Sequence, residues 1–80
     1  MHYVYLLQSE AHVQQRYVEM TSDLRKRLAD HNAEKSPHTS KYIPWKLVTY
    51  IAFSDRRKAE SFEYYLKSGS GHAFARKRLW

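Results

Sequence analysis

Along residues 2–8 the side chains alternate, with Tyr3, Tyr5 and Leu7 on one side and Val4 and Leu6 on the other. Alternation with a period of two marks a β-strand. The polar stretch SEAHVQQ interrupts it, and alternation resumes over residues 16–20, where Val18 and Met20 oppose Tyr17 and Glu19. The two runs predict an antiparallel hairpin joined by a loop of several residues. One face of the hairpin is aliphatic and suited to a core. The other carries Tyr5, Tyr17 and Glu19 together.

A helical period follows. Thr21 or Ser22 is placed to cap a helix running to about Asn32, with Asp23 in its first turn complementing the dipole. At ~100° per residue, Leu24 and Leu28 define an apolar stripe, His31 falls between them in angle, and Arg27 lies at the stripe's edge. Arg25 and Lys26 point away from it toward solvent. The basic loop AEKSPHTSKYIP (33–44) leads to WKLVTYIAF (45–53), whose β-branched and aromatic residues predict a third strand. Ser54 or Asp55 starts a second helix that runs to about Lys67, with Ala59, Phe62 and Leu66 as its stripe. Glu63 lies inside that apolar face, and Glu60 on its flank. SGSG (68–71) is expected to break the chain before a short basic helix in HAFARKRLW. The elements are those of an α+β domain.

Eighty residues make one domain, expected over residues 2–79. A chain of this size buries only ~60% of the surface it exposes when unfolded, so its core is thin. The absence of cysteine removes disulfides and thiolate metal sites, and is compatible with a reducing cytoplasm. MHYVYLLQ carries no basic leader or long apolar run, so a cytoplasmic protein with no membrane partner is expected. Fourteen Lys and Arg against eight Asp and Glu give a net charge of +6. That balance points to an anionic partner, nucleic acid before lipid. Seven tyrosines and two tryptophans add groups on which bases stack, although most of them belong to the core.

Tyr5, Tyr17, Arg27, His31 and Glu63 are polar groups set where packing favours carbon. Each alone has an ordinary explanation. A strand tyrosine is commonly core with its hydroxyl at the surface, a stripe histidine is commonly structural, and Glu63 has Lys67 at i+4 as an ion-pair partner. Together they suit phosphodiester cleavage. A carboxylate holds a divalent cation through waters, the ion polarises the phosphoryl oxygen, and an arginine fork offsets transition-state charge. Tyrosine or histidine takes the proton from water, although a phenol with a pKa of ~10 needs help from the ion or from cations.

YVY (3–5), YVE (17–19), TSDLRKRLADHN (21–32), TSKYIPWKLV (39–48) and AESFEYYLKSGSG (59–71) resemble the GIY-YIG nuclease family. The likeness is greatest to its short, single-domain bacterial branch, and the PW and FE segments also resemble nucleases that cut branched DNA. The resemblance implies a three-stranded antiparallel sheet flanked by α-helices. It also implies hydrolysis of DNA with one divalent ion, Mg²⁺ or Mn²⁺, leaving a 5′-phosphate and a 3′-hydroxyl, with no small-molecule cofactor. By position, Tyr5 matches the general base and Tyr17 the tyrosine that orients water or phosphate. Arg27 matches the arginine on the scissile phosphate, His31 the histidine assisting proton transfer, and Glu63 the metal-binding glutamate. Lys41, with His38 and Ser40 nearby, is a weaker phosphate contact, and the solvent-facing Arg25 and Lys26 are candidate nucleic-acid contacts. Single-stranded or branched DNA is the expected substrate, because so small a domain has no separate duplex-reading module.

Two positions depart from the family pattern. Tyr3 replaces the first glycine of the family name, and Glu19 replaces the last. Glycine inside a strand often marks a close approach by a ligand or another backbone. Glu19 shares a face with both tyrosines, so it can repel DNA, capture the metal or swing out to solvent, and an inhibitory charge is the expectation. The alternative to an active nuclease is therefore a catalytically weakened or inactive nucleic-acid-binding module. A third reading is an accessory subunit that works with a protein partner.

Overall fold

The computed structural model describes residues 1–35 and 37–80. Strands β1 (His2–Ser9) and β2 (Arg16–Thr21) form the expected hairpin, with Leu7 opposite Tyr17 and Tyr5 opposite Glu19. Strand β3 (Trp45–Phe53) pairs antiparallel with the other edge of β1, giving the order β2-β1-β3. The β1–β3 register slips by one residue, since Leu6 faces Thr49 and Leu7 faces Leu47. Such a slip reverses which side chains of β3 point to which face. It brings Leu47 and Trp45 to the side of Tyr5 and Leu7.

Helix α1 (Leu24–Asn32) covers that side, with Leu24 and Leu28 packed on Tyr5, Leu7 and Trp45. Helices α2 (Arg56–Leu66) and α3 (Gly69–Arg78) belong to the opposite side, where Ala59, Leu66 and Ala75 pack on Val4 and Leu6. The fold is thus α+β, a three-stranded antiparallel sheet between helices, as expected. The tyrosine face, read from the alternation as the counterpart of the core, is instead a second core. Val4, Tyr5, Leu6 and Leu7 are all 0% exposed. A phenol ring packs as an apolar body provided its hydroxyl finds a partner, so tyrosine does not mark an open face.

Two helix starts differ from expectation. Asp23, rather than Thr21 or Ser22, caps α1, its carboxylate accepting from the Lys26 amide at 3.1 Å. Thr21 instead accepts from the Asp23 amide, which orients the cap. The break between α2 and α3 falls at Lys67 and Ser68, so it does not extend across SGSG. Ser68 caps α3 and accepts from the Gly71 amide, so both glycines lie within the helix. Gly71 is required for space, because a Cβ there would collide with the Tyr65 carbonyl of α2. Asp55 caps α2 as expected, accepting from the Arg57 amide. Among the described residues, no helix is long and apolar enough to cross a membrane.

Candidate active site

The central strand brings Tyr5 under α1, which presents Arg27 and His31 one turn apart. His31 is fully buried and is hydrogen-bonded at both ring nitrogens, to the Tyr5 hydroxyl at Nε2 (2.9 Å) and to the Thr39 hydroxyl at Nδ1 (2.7 Å). Thr39 is buried too, and its carbonyl accepts from the Trp45 indole at 2.7 Å. The Asn32 amide group accepts from the Trp45 backbone N–H at 2.6 Å and donates to its carbonyl at 3.1 Å. Helix α1 closes on Glu34, at φ 63°. The Lys35 amide donates back to the Asp30 carbonyl there. This left-handed closure is one that glycine usually supplies. Together these bonds fix the segment after α1 against the imidazole.

Tyr17 completes the polar core from β2. Its ring meets His31 edge-on, with centroids 5.1 Å apart, and its hydroxyl donates to Glu19 Oε2 at 2.7 Å. The Arg27 guanidinium lies close enough to the Tyr5 and Tyr17 hydroxyls for its charge to act on both. It makes no ion pair among the described residues. At the edge of β2 the Glu19 carboxyl reaches Glu63 of α2, whose Oε2 accepts from Lys67 at 3.2 Å. Glu19 therefore does not swing out to solvent. It joins Tyr17 to Glu63, two residues on opposite sides of the sheet.

These surroundings set the protonation states. Burial raises Tyr5 far above the ordinary phenol range, although Arg27 opposes the shift. Tyr17 is pushed up to about 12 by burial and by its hydrogen bond to Glu19. His31 is lowered, first by burial and then by the Arg27 charge, so its imidazole is neutral at pH 7. Burial acts to raise Glu19, but the hydrogen bonds from Tyr17 and Glu63 outweigh it and hold that carboxyl low. Glu63 is raised by burial and by its hydrogen bond to Glu19, against the pull of Lys67. Two adjacent carboxylates resist ionising together, so the pair is split in opposite directions, Glu19 down and Glu63 up.

The remaining sequence candidates lie outside this network. Arg25 and Lys26 are exposed, and Lys26 pairs with Asp30 at 3.1 Å. His38 and Lys41 are exposed beside the buried Thr39, and the Ser40 hydroxyl donates to the Pro37 carbonyl. Glu60, on the helix flank, pairs with Arg56 at 2.8 Å. Thr39 is the site residue that the sequence pattern missed. It lies in an aperiodic loop, and only its neighbours in TSKY drew attention. Among the described residues there is no group of three or more His, Cys, Asp or Glu suited to a metal. The Glu19–Glu63 pair supplies hard oxygen donors of the kind Mg²⁺ takes, one or two carboxylates with water and phosphate completing the shell. The donor chemistry fits.

The family model for the GIY-YIG catalytic domain matches residues 1–77. A UPF0213 protein of Lactococcus lactis subsp. cremoris (strain SK11) is 37% identical over 67 residues, covering 82% of this chain and 66% of that protein. The UPF0213 protein YsiG of Lactococcus lactis subsp. lactis (strain IL1403) is 36% identical over 63 residues, 78% of this chain and 57% of its own length. A UPF0213 protein of Clostridium perfringens (strain 13 / Type A) is 37% identical over 68 residues, 84% of this chain and 71% of its own. The chain spans less than two thirds of the length of both lactococcal relatives.

Proposed function

Because this chain belongs to the GIY-YIG catalytic-domain family, we propose that it is a metal-dependent endonuclease that hydrolyses phosphodiester bonds in single-stranded or branched DNA in the cytoplasm. The observation that carries the proposal is the division of charge across Tyr17. On one side stands Arg27, without an ion-pair partner among the described residues, and on the other a pair of adjoining carboxylates. A phosphate on Arg27 and a cation on Glu63 and Glu19 would then be neighbours, as in-line displacement at phosphorus requires.

Each residue has a task in this reading. Arg27 offers its fork to the phosphoryl oxygens and stabilises the charge that develops on them. Tyr17 orients the phosphate or the attacking water. With His31 protonated at Nδ1 and donating to Thr39, Nε2 accepts the Tyr5 hydroxyl proton. Water can then pass its proton to the Tyr5 oxygen while Tyr5 passes its own to His31, so no free phenolate forms on this strongly raised group. Tyr5 is 0% exposed. A phosphate that draws Arg27 outward opens the way to the Tyr5 hydroxyl. Glu63 and Glu19 would hold Mg²⁺ or Mn²⁺, which when bound would polarise the phosphoryl oxygen and stabilise the leaving oxygen. Lys41, His38 and Ser40 on one flank, and Arg25 and Lys26 on the other, add contacts to the strand.

The test is incubation of end-labelled single-stranded, duplex and forked DNA with Mg²⁺ or Mn²⁺, with and without chelator. Cleavage that chelator abolishes, and that Glu63→Gln removes while DNA binding persists, is the expected result. DNA bound without cleavage in either metal would instead establish the second reading, a binding module weakened at Glu19. What favours that reading is the Glu19 carboxyl itself, which takes the Tyr17 hydroxyl and meets Glu63 where the family pattern has glycine. In that case Glu19→Gly should restore cleavage.

A further inference from the structure

Beyond Tyr17, between β2 and the α2–α3 pair, lies a cleft of about 380 Å³. That lies within the range of pockets that enclose a small ligand, roughly 300–1,000 Å³. Val18, Leu66 and Trp80 make its apolar surface, and Arg16, Lys67 and Arg76 stand around it. Among the described residues, no Asp or Glu side chain lines it. The Arg16 guanidinium lies over the Trp80 ring, 4.7 Å from its centroid, so a planar cation and an indole already form a stack at the mouth. Tyr17 and Lys67 border both this cleft and the candidate active site, since Tyr17 bonds Glu19 and Lys67 bonds Glu63. A strand whose phosphate rests on Arg27 therefore meets these cations next.

We propose that this cleft is a subsite for one unpaired nucleotide of the cleaved strand. The base lies against Trp80 and the aliphatic floor, its phosphate rests on Lys67 and Arg76, and Arg16, stacked on Trp80, holds the indole in place. The inference rests on the nuclease reading above and sharpens it. An apolar floor alone would suit many ligands, but a cationic rim around it selects a flat apolar group joined to an anion. Continuity with the phosphate site makes that ligand a nucleotide. Bases within a duplex are stacked and paired, and entering a pocket costs them both interactions. The cleft thus favours strands with an unpaired nucleotide beside the scissile bond.

The experiment compares two probes of equal charge by fluorescence anisotropy in chelator, hexathymidylate and a hexamer of abasic deoxyribose phosphates. The wild type should bind the first about tenfold more tightly, within the range that stacking of one base on an aromatic side chain gives. Trp80→Leu should erase the difference while keeping salt-dependent binding of both probes. Should Trp80→Leu fail to fold, Arg16→Ser at the exposed strand edge decides, and it should at least halve the preference. Tyr64→Ala removes an exposed tyrosine outside the cleft and should leave the preference intact. Equal binding of the two probes by the wild type overturns the subsite, as does a preference that survives in the Trp80 or Arg16 variant. Because no cleavage is measured, the two proposals fail separately. Equal binding beside chelator-sensitive cleavage removes the subsite alone, and base-dependent binding without cleavage removes the nuclease alone.

Discussion

The two sides of the sheet share one central strand and are made of opposite materials. Toward α2 and α3 the buried cluster is Val4, Leu6, Ala59, Leu66 and Ala75, all apolar. Toward α1, Tyr5, Leu7 and Trp45 pack beside His31 and Thr39, which hydrogen-bond to each other and to Tyr5 and Trp45. Among the described residues, no buried side-chain nitrogen or oxygen lacks a partner. A dry core tolerates rearrangement if its volume is kept, whereas a buried polar network is costly unless every member is satisfied. The dry side therefore anchors the fold, and the polar side holds side chains in one arrangement.

Substitutions can break that division, and the largest effect belongs to the dry side. Leu6→Ala should cost ~2–5 kcal/mol of stability, a large part of the ~5–15 kcal/mol available to a small domain. Thermal unfolding followed by circular dichroism should show the midpoint fall by about 10 °C or more. A loss below about 1 kcal/mol would show that this cluster is not the anchor. On the polar side, Arg27→Ala should lower the cleavage rate by roughly 10²–10³-fold, as when one donor to transition-state charge is removed. Its melting temperature should hardly move, because Arg27 has no ion pair to lose among the described residues. A variant that unfolds instead would make Arg27 a structural residue.

His31 tests whether the polar side also contributes stability. His31→Gln should cost ~1–3 kcal/mol by leaving the Tyr5 and Thr39 hydroxyls imperfectly paired. It should also change the response to acid. In the fold His31 is held below its ordinary value, so as pH falls below about 6.5 the unfolded chain takes up the proton first. Stability that is complete above that pH is lost as pH drops toward the depressed folded value, and the loss then grows no further once the folded form is protonated as well. Denaturant titrations from pH 7 to pH 5 should show this decline in the wild type and a flatter profile in His31→Gln. Parallel profiles would assign the acid sensitivity elsewhere.

The smallest effect concerns Glu19, which connects the two sides. If it holds the cation with Glu63, Glu19→Gln should raise the Mg²⁺ or Mn²⁺ concentration needed for half-maximal cleavage by about tenfold. Calorimetric titration with Mn²⁺ alone should move in step. If cleavage rises at unchanged metal affinity, Glu19 is an inhibitory charge, as the sequence pattern led one to expect.

Most of the fold was legible because its periods are clean. The hairpin, the third strand and the stripe positions of α1 and α2 all follow from alternation or from helical spacing. Arg27, His31 and Glu63 were legible for the converse reason, as polar groups at the edge of an apolar stripe or inside one. Thr39 was not, because a loop has no period against which a buried hydroxyl stands out. The contact between Glu19 and Glu63 was hidden too, since it joins residues 44 positions apart around a strand edge. Trp45 could not be assigned a face, because the register slip that turns it toward Tyr5 depends on pairing between strands. SGSG misled because glycine usually signals conformational freedom. Gly71 serves close approach of two helices.

The placement of β1 between two other strands, with Val4 through Leu7 wholly covered, has a consequence for motion. Central strands of small domains open only with the whole molecule, so their amide protons exchange at the rate of global unfolding. Tyr5 is thus carried on backbone hydrogen-bonded along both edges, which is expected to open only with the whole fold. Its partner His31 and its neighbours Arg27 and Tyr17 come from a surface helix and an edge strand, which can loosen locally. On the proposed function, a rearrangement that admits DNA would move those neighbours around a phenol held in place.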